Sequence, residues 1–316
     1  MVNGSYAYFG KQADCLESII LMLLHKEGGH HLKYAECLTI RPFVHRWPIK
    51  NPKMWFSSAI SPWDGLIQAI NLLEIDTEII TSCELNNDRL AETLIRLLSY
   101  GPVVVGPLSR IKIWDRIQDH YYSGSAYFVL ITEVKSNNCI VVQDPEGCPN
   151  FVLPVDKLIK SFDVLPEKTG FVAVKPSRID IKDVNLLIRT LKICISARKN
   201  LNNSAQELFE LVKYIENTGL KSSEIGSLHF GIPEFSLSIW KIHYFIRYIN
   251  TFVSSIYLNR VMVILEEYLL DCAEASYALR NNNQPMLLQA LMKFIHQEKL
   301  LDDIFFSDPM ELLFGR

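Results

Sequence analysis

The sequence predicts an α+β domain over residues 1–178 followed by an all-helical domain over 179–316, and three observations carry that prediction. Short apolar runs bounded by turn formers recur between residues 102 and 176, as strands do. After "PSRIDIKD" the apolar spacing becomes helical almost throughout. Over 316 residues, hydrophobic side chains make up 49% and charged ones 21%, a balance that buries a core instead of leaving a disordered chain.

Each element has its own signal. "CLESIILMLLH" (15–25) has Leu16, Ile19, Ile20, Leu23 and Leu24 on one helical face. "SPWDGLIQAINLLE" (61–74) predicts a second helix, with Ser61 as N-cap and Pro62 at the first helical position. "LNNDRLAETLIRLLSYG" (85–101) predicts a third, ended by Gly101. "PVVVGPL" (102–108) is a buried strand. Tyr127–Val134 and Cys139–Gln143 form a hairpin across the polar turn "KSNN", closed by an Asp-Pro corner. Strands at 150–156 and 169–176 flank a helix at 155–162. The helical domain reads as 182–200, 204–218, 235–252, 254–281 and 285–300, with Gly and Pro interrupting it at "GSLHFGIPEF" (226–235).

Composition narrows the function classes. The formal net charge is −3 and no Lys/Arg-rich run appears, which argues against a nucleic-acid surface. The seven cysteines, at 15, 37, 83, 139, 148, 194 and 272, form no C-x-x-C pair, so neither a disulfide framework nor a zinc site is expected. The start "MVNGSYAYFGKQAD" is polar, and "ESIILMLLHK" is too short to span a bilayer. The expectation is a cytoplasmic protein with no membrane partner, no cofactor and no metal.

Cys15 begins an apolar helix, where the positive end of the helix dipole favours a thiolate, the nucleophilic form. Gln12, just upstream, offers an amide to an oxyanion. The plainer account of Cys15 is a small buried apolar residue. Asp144 in "VVQDPEG" ends a strand that Pro145 stops; it caps its own turn or orients a histidine of a Cys/His/Asp set.

The order of a cysteine on the first helix, then "GPVVVGPLS", an apolar strand and "VVQDPEG" resembles the papain-like acyltransferases typified by the butirosin biosynthesis H protein. More distantly it is similar to the bacteriocin-processing double-glycine cysteine peptidases. The likeness covers roughly residues 10–175, and the helical tail suits the butirosin-type proteins better. It implies a papain-like fold, a helix packed on an antiparallel sheet, with Cys15 as nucleophile and Asp144 as orienting acid. It also implies an acyl carrier protein as thioester donor, with the acyl group passing to a small-molecule or peptidyl amine.

The sequence departs from that pattern at the histidine. Ungapped, Tyr127 occupies the position; a one-residue slip puts Ala126 there. Neither acts as imidazole does near neutral pH. Three accounts stay open: a site naturally inactive or rewired, an engineered variant, or an imidazole supplied by His120 in "QDHYYSGS". So two functions compete. One is a cysteine acyltransferase or thioesterase-like enzyme of a biosynthetic pathway, such as an antibiotic one; the other is a catalytically silent protein that binds a carrier protein or peptide-like product. A cysteine peptidase or amidase stands third.

The remaining candidates are weaker. His25, His30 and His31 flank a glycine turn with no acidic or cysteine partner nearby. His45 beside Arg46 and Trp47 reads as surface packing or as part of an acceptor or carrier surface. Asp64 reads as a helix-start residue. On the helical faces, Arg247 and Arg260 are candidates for a polar substrate, with Glu266 and Glu267 beside them.

Overall fold

A computed structural model describes residues 15–23, 35–47, 56–81, 89–109, 113, 126–135, 138–144, 150–162, 169–175 and 183–307. They form two compact units, Met1–Thr39 with Ser61–Asp180, and Ile40–Ile60 with Ile181–Arg316. The first is mixed helix and sheet; the second is dominated by helices. Residues 40–60 belong to the helical unit, although the sequence reading ran them with the first domain. No local composition change marks them; what places them there is long-range pairing described below.

The mixed unit is a six-stranded, wholly antiparallel sheet with helices packed on it. Its strands are β3 (Thr77–Thr81), β4 (Val103–Ser109), β5 (Ala126–Lys135), β6 (Cys139–Gln143), β7 (Phe151–Pro154) and β8 (Gly170–Val174), in the order β3-β8-β4-β5-β6-β7. The predicted strands are all present, and β3 is an addition the sequence reading missed. Every residue of β4 and β8 is buried, so these central strands are covered on both faces. The edge strands β3 and β7 are only partly covered.

Four helices pack on the sheet. α1 (Cys15–Leu23) packs on β5 and, over 15–22, is buried on every side, so it is a core helix and not an amphipathic one. α2 (Pro62–Leu72) starts as expected, with Ser61 Oγ accepting from the Asp64 amide at 3.1 Å and donating to its carboxylate at 2.8 Å. α3 (Leu90–Tyr100) packs on β4, β5 and β8. Gly101 follows it in extended backbone, not in a left-handed cap; a Cβ there would run into the Val174 carbonyl, so close approach to β8 explains the glycine. α4 (Val155–Phe162) connects β7 towards β8.

The helical unit comprises α5 (Val184–Leu201), α6 (Ser204–Thr218), α7 (Ser222–Val253), α8 (Ile256–Arg280) and α9 (Gln284–Phe305). α7 runs through Pro233 without the break expected at 226–235. Its buried Leu228, Ile232, Phe235, Ile239, Ile242, Ile246 and Ile249 recur every three or four residues across the proline, and that stripe holds the helix against its neighbours. The short strands β1 (His45–Arg46) and β2 (Ser57–Ser58) pair antiparallel within this unit. Among the described residues, no helix is long and apolar enough to cross a membrane.

Candidate functional site

The hairpin of β5 and β6 assembles part of the predicted site. Leu130 pairs with Gln143, so continuing the register one step places Asp144 on the same face as Val129 and, diagonally, Tyr127. Tyr127 is 1% exposed and Asp144 2%, and the Tyr127 hydroxyl donates to Asp144 Oδ1. It is therefore Tyr127 that reaches the acid, while Ala126 opens β5 and pairs with Ser109.

The neighbouring strand carries a bulge beside this tyrosine. Between Val105, opposite Val129, and Leu108, opposite Tyr127, β4 has two residues, Gly106 and Pro107, where β5 has one, Phe128. Gly106 has φ +156°, and a Cβ on it would fall inside the Phe128 ring and against the Tyr127 carbonyl. The glycine of "GPVVVGPLS" thus lets β4 approach the strand bearing Tyr127.

Cys15 stands at the first position of α1 and is 7% exposed. Its helix packs on β5, the strand that carries Tyr127, while Asp144 follows β6, the other neighbour of β5. Gln12 and His120, like His25, His30 and His31, lie outside the described residues. Two other thiols are poor nucleophiles: burial pushes Cys194 well above its ordinary pKa, and burial with the nearby Asp271 does the same to Cys272. Among the described residues no cluster of His, Cys, Asp and Glu could hold a metal.

The helical unit contains a second buried acid that sequence reasoning missed. Glu298 of α9 is fully buried and ringed by four donors. Arg198 Nη2 lies 2.6 Å and Asn202 Nδ2 3.1 Å from one carboxylate oxygen. The Tyr268 hydroxyl at 3.1 Å and His45 Nδ1 at 3.4 Å face the other. Burial alone would raise the pKa of Glu298; Arg198, backed by His45 and Asn202, holds it instead well below the carboxylate range. Arg198 also binds Asp302 at 2.6 Å, and its own pKa is raised because the two acids outweigh the cost of its burial. Tyr268 is pushed up by burial and by Glu298.

This network ties residues 40–60 into the helical unit. The His45 amide donates to Asn202 Oδ1, the Trp47 amide to Glu207, and Trp47 Nε1 to Ser204. The His45 ring lies against Phe235 and Phe56, with its Nε2 buried and without a hydrogen-bond partner. The expectation of a surface role for His45 is therefore corrected: it is a core residue, because Glu298 takes its Nδ1 and aromatic rings enclose it. Arg247 and Arg260 do not join the network; both are exposed on α7 and α8. Glu266, named with them, pairs with His243 at 3.1 Å.

A signal for Glu298 was present. It falls in the stripe Leu287, Leu291, Phe294, Leu301 and Phe305 of α9, and Arg198 continues Leu187, Leu191 and Cys194 on α5. A charged residue in a core slot of a helix implies a buried partner. Comparison with protein-family models and with curated proteins finds no match to this chain.

Proposed function

We propose that the mixed unit is a papain-like domain of the acyltransferase type that has exchanged its imidazole for Tyr127, and that the chain binds a carrier-linked acyl thioester without efficiently transferring it. One observation supports this reading: the buried Tyr127 hydroxyl donates a hydrogen bond to Asp144. In a working set the acid orients an imidazole, which removes the thiol proton and returns it to the leaving group. A phenol donating to that acid keeps its proton, and its ordinary pKa near 10 makes it a poor acceptor for another. Acid and nucleophile remain, but the step between them is missing.

A second reading, an active transferase passing the acyl group to an amine, is favoured by the position of Cys15 at the start of a helix packed on β5. There the thiolate attacks the thioester carbon and expels the carrier thiol, and the amine later displaces Cys15. Intact-mass analysis separates the readings. With acyl-carrier thioesters, the proposal expects binding with little or no Cys15 adduct, and a Tyr127→His variant that acylates faster by about 10²–10⁴-fold. Rapid, Cys15-dependent transfer by the unaltered chain, abolished in Cys15→Ser, would establish the second reading instead. No binding and no response to Tyr127→His would sink both and leave Cys15 a core thiol.

A further inference from the structure

A cavity of about 240 Å³ lies in the helical unit, where the α6–α7 connection meets the α8–α9 connection. Its walls are apolar: Ala278, Leu279 and Leu287 are buried, and Leu220 and Ile225 are half-buried. Its rim is a run of amide side chains, Asn282, Asn283 and Gln284. Among the described residues, no charged side chain lines it. An apolar hollow with a few fixed polar groups is the usual form of a small-ligand site.

The fold fixes which way two of these amides point. Gln284 Nε2 donates to the Ile215 carbonyl near the end of α6 at 3.2 Å. Asn283 Oδ1 accepts from the Met286 amide at 3.1 Å and so caps α9. A carbonyl only accepts and a backbone N–H only donates, so neither side chain can turn over without losing its bond. The rim is left with Asn283 Nδ2 as a donor and Gln284 Oε1 as an acceptor, neither of them bonded among the described residues.

We propose that this cavity binds a neutral secondary amide carrying a short apolar chain. The chain lies against the leucine and isoleucine walls. The amide offers its carbonyl oxygen to Asn283 and its N–H to Gln284 from adjacent atoms. An ester brings no donor for Gln284, and an ammonium brings no acceptor for Asn283. A carboxylate lacks the donor too, and would sit among apolar walls with no opposing charge. Size sets the length of the chain. An apolar cavity of about 150 Å³ takes benzene, so this one holds about ten non-hydrogen atoms. None of the lining residues belongs to the β5–β6 hairpin, so binding here calls on neither Tyr127 nor Asp144.

N-methylheptanamide has that size and a single N–H, and serves as the probe. Titrated into the methyl-labelled chain, it should shift the methyl resonances of Ile225, Leu279 and Leu287 in NMR spectra, with a Kd on the order of 100 µM. Methyl heptanoate has the same shape without the N–H and should bind about tenfold more weakly. Octanoate and octylamine should be weaker still. Asn283→Asp keeps the oxygen that caps α9 but puts a charged acceptor where the donor was. In that variant the amide should lose at least about tenfold in affinity, while octylamine should bind more tightly than it does to the unaltered chain. Any of three results overturns the proposal. The probe may leave these methyl groups unmoved. The ester may bind as tightly as the amide, which would make the cavity an apolar gap with no head-group recognition. Or Asn283→Asp may keep the preference of the unaltered chain.

Discussion

Asp144 and Glu298 are both buried carboxylates that accept a tyrosine hydroxyl, from Tyr127 and Tyr268 respectively, yet their surroundings differ in kind. Glu298 faces a buried guanidinium and has a donor for each lone pair, so its charge is neutralised and fixed. Asp144 meets its phenol at the end of a strand, on a hairpin packed by the helix that Cys15 begins. The first arrangement spends every donor on holding four helical-unit segments together. The second is the arrangement proposed above to be a catalytic set with its base replaced. A saturated acid beside a guanidinium organises a fold, whereas a buried acid meeting a phenol at a strand end is the better place to look for function.

The largest test of this contrast removes the charge that balances Glu298. Arg198→Leu leaves a buried carboxylate without its cation and should destabilise the helical unit by about 3–5 kcal/mol in urea unfolding followed by circular dichroism. Replacing both partners, Arg198→Leu with Glu298→Leu, should recover most of that loss, because no bare charge remains. A single variant within about 1 kcal/mol of the unaltered protein would show that the network does not hold the unit together.

Acid titration gives the next effect. The pKa of Glu298 is lowered in the fold, so its contribution is complete above the unfolded value of about 4.3 and is lost as pH falls towards the depressed folded value. Asp302 has the opposite sign: burial raises its pKa, so it loses nothing over the same range. Stability measured against pH should therefore fall below about pH 4.3 in the unaltered protein and fall less steeply in Glu298→Gln. Parallel acid limbs in the two would mean that Glu298 is not held ionised.

How much of this the sequence discloses follows from the range of the interactions. Strands β4 to β8 are legible because their apolar runs and turn residues are local, and so is the Ser61–Pro62 start of α2. β3 is not, since "TEIIT" is a half-buried edge strand of five residues that only its pairing with β8 identifies. The continuation of α7 through Pro233 depends on a stripe whose partners lie on other helices. His45 could not be placed from its neighbours, because what buries it lies more than 150 residues away, at Asn202 and Glu298. The site itself divides the same way. Cys15 and Asp144 were named as candidates from position on their elements, but that Tyr127 and not Ala126 meets Asp144 required the β5–β6 register.

The smallest expected effects compare the two phenols directly. Tyr268→Phe removes one of four donors from Glu298, and Arg198, Asn202 and His45 remain. Its cost should be close to that of an ordinary hydrogen bond, about 0.5–1.5 kcal/mol. Tyr127→Phe takes the phenolic donor from the buried Asp144 carboxylate and should cost about 1–3 kcal/mol. The ordering matters more than either value. Both substitutions delete the same hydroxyl from a buried ring, so the difference between them isolates how much each acid depends on its tyrosine. If Tyr268→Phe proves the more damaging, the phenol of the helical unit is the indispensable one and Asp144 rests on other donors. The reading of Tyr127 as the replacement for a catalytic base would then lose its structural support, because an acid indifferent to Tyr127 does not orient it.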